Sequence, residues 1–214
     1  MTRDWYAWHH HYEDPESALS RRLVEVRRRI GATLDQAPPG PLRAVSLCAG
    51  QGRDLIPVLA GHPRGGDVTA RLVELDPRNV ELARAAVSEA GLTGVEVVLG
   101  DAARTDAYAG LVPADLVLAC GIFGNISDAH IQATVRRCAS LCANGGTVFW
   151  TRHRQAPDLV PTICGWLAEE GFEPVAVSSP AEGVGVGVHR FLGTPRPLPA
   201  GVTMFEFTAR PRPA

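Results

Sequence analysis

The sequence predicts an α/β fold: a doubly wound, mostly parallel seven-stranded sheet with an antiparallel last strand and an N-terminal helical lid. Three observations lead there. From Leu42 onward, short apolar runs alternate with amphipathic stretches, the β-then-α order that builds a parallel sheet. The first run, Val45-Ser46-Leu47, feeds a turn holding Gly50 and Gly52, and a helix-compatible stretch follows. Near the end, two strand-like runs follow one another without a helix between them, which fits an antiparallel finish.

Taken in order, residues 1–15 crowd Trp5, Tyr6, Trp8, His9, His10, His11 and Tyr12 together. Leu19, Leu23, Val26, Ile30 and Leu34 then recur at helical spacing, with Arg21, Arg22, Arg27, Arg28 and Arg29 mostly off that stripe and read as a solvated face. Ala37-Pro38-Pro39-Gly40-Pro41 breaks the chain and divides an N-terminal segment, 1–41, from the main domain, 42–214. Strands are expected at 44–47, 69–75, 95–99, 114–120, 147–150 and 173–178, with a last strand at 202–208. Helices are expected at about 53–60, from Asp76-Pro77 to Gly91, from Ser127 or Asp128 to Cys142, and across Leu159–Leu167. Residues 179–201 read as an irregular Gly/Pro-rich insertion, within which 186–192 suits an extra strand.

With 214 residues, 45% hydrophobic and 21% charged, the chain has the composition of one ordinary globular domain. A formal net charge of −2 offers no electrostatic reason to bind nucleic acid, and a small-molecule substrate is expected instead. No apolar run is long enough to span a bilayer, and Met1-Thr2-Arg3-Asp4-Trp5 lacks the apolar stretch of a signal peptide. Five cysteines without a C-x-x-C pair suit buried thiols in a reducing cytoplasm, and no metal site is expected. Nothing in the sequence fixes an oligomeric state.

The chemistry concentrates at the strand ends. Gly50 and Gly52 lack a Cβ, so the backbone can take positive φ and a ligand can lie against it. A dinucleotide fingerprint would need a third glycine where Leu55 stands, which argues against NAD. Glu74, at the end of the second strand, is placed to accept from both hydroxyls of a ribose. Gly100-Asp101-Ala102 follows the third strand and Cys120-Gly121-Ile122-Phe123-Gly124-Asn125 the fourth.

This ordered series resembles the class I S-adenosylmethionine (SAM)-dependent methyltransferases over about residues 42–178. The resemblance implies SAM as cofactor, cradled by Cys48, Ala49, Gly50, Gln51 and Gly52. It implies Glu74 with Leu75 at the ribose, Asp101 with Ala102 at the adenine, and Cys120 with Gly121 near the transferable methyl. Two departures stand out: Ser46 replaces the family's strand-end acid, and Cys48 its first glycine. The N-P-P-Y type of sequence is absent, which argues against methylation of exocyclic or amide nitrogens.

The parts outside the resemblance are where this family selects its acceptor. The aromatic and histidine cluster is therefore expected to form a lid, with Tyr12 near SAM; static packing on the sheet edge is the alternative. The apolar rings would not stay in water, yet three adjacent imidazoles resist full burial. Methyl transfer to oxygen or ammonium also needs a proton acceptor. His153, after the fifth strand, His10 and the orienting Asn125 are the candidate catalytic residues, with His9, His11 and His189 as rivals. The expected function is methylation of a small molecule. The alternatives are a SAM-binding partner subunit that does not methylate and a SAM-assisted enzyme of another kind.

Overall fold

A computed structural model describes residues 4–208. Helix α1 (Trp5–Trp8) is capped by Asp4, whose carboxylate accepts from the N–H groups of Tyr6 and Ala7, and a 3₁₀ turn follows at His9–Glu13. Helix α2 (Ala18–Gln36) starts at Ser17, whose hydroxyl accepts from Ser20 N–H. Its Val26, Ile30 and Leu34 are buried in one cluster with Leu55, Ile56, Val186 and Val188. Each such side chain contributes about 1.5–3 kcal/mol on burial, so α2 is part of the core.

Strands β1 (Leu42–Leu47), β2 (Val68–Glu74), β3 (Val95–Leu99), β4 (Ala114–Ala119), β5 (Cys142–His153), β6 (Phe172–Val177) and β7 (Val184–Phe191) form one sheet. Its order is β3-β2-β1-β4-β5-β7-β6. Strands β1 to β5 run parallel, and β7 lies antiparallel between β5 and β6. Helices α3 (Ile56–Gly61), α4 (Pro77–Glu89), α5 (Asp128–Leu141) and α6 (Val160–Glu169) make the crossovers. The order reverses between β1 and β4, which sets the crevice at their C-terminal ends as the ligand position of an open α/β sheet.

Three expectations need correction. The antiparallel last strand is Val184–Phe191, not 202–208, which makes only isolated bridges at Thr203 and Phe207. Glycine made 179–201 look irregular, yet in β7 it serves packing. A Cβ on Gly187 would come within 2.1 Å of the Trp150 indole, and one on Gly185 within 2.6 Å of Val160. Helix α3 begins at Ile56 rather than Arg53, with Pro57 in its first turn. Had the helix begun at Arg53, Pro57 would have left the Arg53 carbonyl without its N–H partner. The Arg27 guanidinium donates to that carbonyl instead, at 2.7 Å. Finally, β5 begins at Cys142 rather than at 147, so Asn144-Gly145-Gly146 lies inside it, where Gly146 passes too close to the Ala114 carbonyl for any Cβ.

Candidate functional site

The site is built on the turn after β1. Cys48, Gly50 and Gly52 all have positive φ, at 50°, 56° and 68°. Cys48 therefore pays the left-handed strain that a glycine would avoid, of order 1–2 kcal/mol, at a position next to the crevice. The turn is fastened to the neighbouring strand. Ala49 N–H donates to the Val73 carbonyl, and Gly50 N–H donates to Glu74 Oε2 at 2.8 Å.

Glu74 is buried, 7% exposed, and its Oε1 accepts from Asp76 N–H at 2.9 Å. Each oxygen has one such partner, so each keeps lone-pair capacity for a ligand hydroxyl. Asp101 Oδ1 takes Ala103 N–H, which fixes the loop after β3. After β4, Gly121 (φ 80°) donates to Thr151 Oγ1 at 2.8 Å, and a Cβ there would meet only open space.

Both ends of the described chain close over this edge. Trp5, Trp8, His9 and Tyr12 form one wall; Thr203, Phe205, Glu206 and Phe207 form another. They meet where the rings of Trp5 and Phe207 approach to 5.3 Å. Arg78 of α4 pairs with Asp4 at 2.8 Å and lies over the Tyr6 ring, while Met204 N–H donates to the Ala103 carbonyl. The cleft measures about 480 Å³.

The cavity changes the titration of its walls. Burial, reinforced by Arg53, lowers the His9 pKa to about 4, so the imidazole is neutral at pH 7. Burial raises Asp54, and it raises Tyr12 and the thiols of Cys48 and Cys120, which stay protonated.

Of the cofactor residues expected from sequence, Tyr12, Cys48, Ala49 and Gly50 line the cavity, as do Glu74, Leu75, Asp101, Ala102, Cys120 and Gly121. Gln51 and Gly52 do not. Gln51 is spent on side-chain bonds with Asn79 and Arg53, and Gly52 packs inward against Ile56 and Leu72. None of the three candidate catalytic residues is in the lining. His10 is exposed, edge-on to Tyr6, because the 3₁₀ turn points its neighbour His9 inward. Asn125 donates to the Gly121 carbonyl and shapes the turn after β4. His153 lies at the end of β5 against Gly124. Among the rivals, His189 is fully buried in β7 and accepts from the Trp150 indole N–H at 3.2 Å.

Sequence reasoning missed Arg22, Arg53 and Asp54, and also the cavity-lining 203–207 segment. Asp54 had a usable signal: it stands two residues after Gly52, in the turn between the glycines and α3.

Residues 44–146 match the family model of a methyltransferase domain. Over those residues the chain is similar to a methyltransferase domain. No curated protein sequence matches it. Solved structures share the fold at low identity. One is the magnesium protoporphyrin IX methyltransferase from Synechocystis PCC 6803 with bound SAM, at 16% identity and a TM-score of 0.63, covering 89% of this chain and 92% of that one. Another is an O-methyltransferase family protein from Burkholderia thailandensis, at 17% identity and 0.59, covering 87% of this chain and 68% of that one. The methyltransferase domain match contains β1 to β4 and their ligand-facing loops; the aromatic walls from both chain ends lie outside it.

Proposed function

We propose that this chain transfers a methyl group from SAM to a small-molecule acceptor. The observation that carries the reading is the cavity itself. Its floor presents the glycine turn, Glu74, Asp101 and Cys120-Gly121 from four adjacent strands around one cleft.

The residues present fit SAM. Glu74 is pre-oriented by two backbone N–H groups and retains acceptor capacity for ribose hydroxyls, and Asp101 is available to an adenine amino group. Four carboxyl groups (Asp54, Glu74, Asp101, Glu206) face two guanidinium groups (Arg22, Arg53) around the cavity, an acidic balance that suits a sulfonium cation. When bound, SAM supplies an electrophilic methyl group. The aromatic walls exclude water from the reacting atoms and limit what can approach them. A cavity of about 480 Å³ lies in the lower half of the ~300–1,000 Å³ typical of small-ligand clefts. Cofactor and acceptor share it, so the acceptor is small.

His9 is the histidine that lines this cavity among the described residues, and its Nδ1 has no hydrogen-bond partner. It replaces His10 and His153 as the proposed proton acceptor. With a pKa of about 4 it is a weak base, so the matching acceptor is already nucleophilic: an amine, a thiolate or an acidic hydroxyl.

Calorimetry with SAM, S-adenosylhomocysteine (SAH) and NAD tests the cofactor. SAM and SAH should bind and NAD should not; tight NAD binding with no response to SAM would overturn the reading. SAH release with an amine, thiol or phenol panel then tests transfer. The strained Cys48 in place of a glycine favours a second reading, a SAM-binding subunit without transferase activity, which predicts SAM binding but no SAH release.

A further inference from the structure

The strand-end acid that usually accompanies this glycine turn is Ser46 here, and Ser46 is buried, 1% exposed, outside the cavity lining. The cavity nevertheless holds two opposite charges that do not neutralise each other. Asp54, at the start of the α3 turn, lines it. Its Oδ1 accepts the N–H of Leu55, and it forms no ion pair among the described residues. Arg22, on the first turns of α2, also lines it. Its Nη2 donates to the Tyr12 hydroxyl at 3.2 Å, and it likewise forms no ion pair there. The two charges are close enough for Arg22 and Arg27 to oppose the burial that raises the Asp54 carboxyl. Both act on the Cys120 thiol just after β4, Asp54 raising its pKa and Arg22 lowering it.

Leaving a carboxylate and a guanidinium part-buried and without an ion-pair partner is costly unless a ligand completes them. The cheapest completion is one ligand bearing both complementary charges, an ammonium and a carboxylate. The surroundings hold the pair in place. Arg27 fixes the Arg53 carbonyl immediately before Asp54, and the Arg53 guanidinium lies 5.6 Å from the centre of the Tyr12 ring.

We infer that Asp54 and Arg22 form a receptor for an α-amino carboxylate, the amino-acid end of the cofactor, with Asp54 taking the ammonium and Arg22 the carboxylate. This rests on the SAM reading above and replaces the missing strand-end acid with groups from α2 and the α3 turn. Glycine-turn backbone and Glu74 then hold one end of the ligand, and a charged pair reached only after folding of the N-terminal helix holds the other.

The test compares two ligands by calorimetry. SAH carries the amino-acid end; 5′-methylthioadenosine shares the adenosine and lacks it. Asp54→Asn and Arg22→Gln should each weaken SAH by roughly 10- to 150-fold while changing 5′-methylthioadenosine by less than about threefold. Unchanged 5′-methylthioadenosine binding also shows that the variants are folded; Arg22→Lys, which keeps the charge, should restore part of the SAH affinity. If the wild type binds both ligands and the variants keep the wild-type ratio, the receptor assignment is wrong. If the variants bind SAH normally but lose turnover, Asp54 and Arg22 serve the acceptor instead, and the assignment is also wrong. If the wild-type chain binds neither ligand, the SAM reading itself has failed.

Discussion

Glu74→Ala separates the two duties of one carboxylate. In the proposed site Glu74 supplies the acceptors for two ribose hydroxyls, and hydrogen bonds to a charged group contribute about 1.5–3 kcal/mol, or roughly 10- to 150-fold in affinity. Toward the protein, it accepts the N–H groups of Gly50 and Asp76. Gly50 is buried, so its orphaned N–H costs about 1–3 kcal/mol; Asp76 is more open and regains water. For a chain of this size that loss lowers Tm by about 2–4 °C per kcal/mol. Calorimetry with SAH and with 5′-methylthioadenosine gives the first effect, and denaturant unfolding gives the second. Both ligands should weaken together, because both carry the ribose. That pattern differs from the one expected at Asp54, where only SAH responds. Unchanged affinity for both ligands in a folded variant would refute the ribose assignment, and unchanged stability would refute the turn-anchoring argument.

Other outcomes follow from particular contacts. Cys48→Gly should be more stable than Cys48→Ala in chemical denaturation, reversing the usual order, because φ 50° strains every residue but glycine. Gly187→Ala should destabilise by about 1–3 kcal/mol or more, read in the same assay, since its Cβ would enter the buried Trp150 ring. Acid should weaken the fold between about pH 6.5 and 4. His9 and His189 both titrate near 4 when folded but near 6.5 when unfolded, so the unfolded chain binds more protons in that window. Their contribution is complete above pH 6.5 and lost below 4, and His189→Phe should remove part of the pH dependence of unfolding. The N-terminal wall is pinned by an exposed, solvent-screened Arg78–Asp4 pair, so amide exchange over residues 5–12 should slow when SAH is added.

The parallel half of the fold was legible because its signals are local. An apolar run, a glycine turn and a capped helix repeat within windows of about thirty residues, and Ser127 and Asp76 cap the helices their sequence positions suggested. The antiparallel half was less so. β7 reads as a loop when its glycines are scored for flexibility; it reads as a strand once Trp150 and Val160 need the space that those glycines leave. The 202–208 run has the alternation of a strand, yet the antiparallel place beside β5 is filled by β7, and the run crosses the loops after β3 and β4 instead.

The same distinction explains Arg22. As one of five arginines on α2 it looked like solvated charge, but its position is three residues from Leu19 and four from Val26, on the edge of the apolar stripe. Long helical side chains lean toward the N-terminus of their helix, which for Arg22 is the side where Tyr12 returns. A guanidinium there is drawn into the wall that closes the cavity, and its bond to the Tyr12 hydroxyl ties α2 to the N-terminal turn. The helix that completes the core through Val26, Ile30 and Leu34 thus also delivers a charge to the cavity. Docking of α2 and formation of a complete site are then a single event, and loosening the α2 interface should reduce SAH affinity before it reduces affinity for 5′-methylthioadenosine.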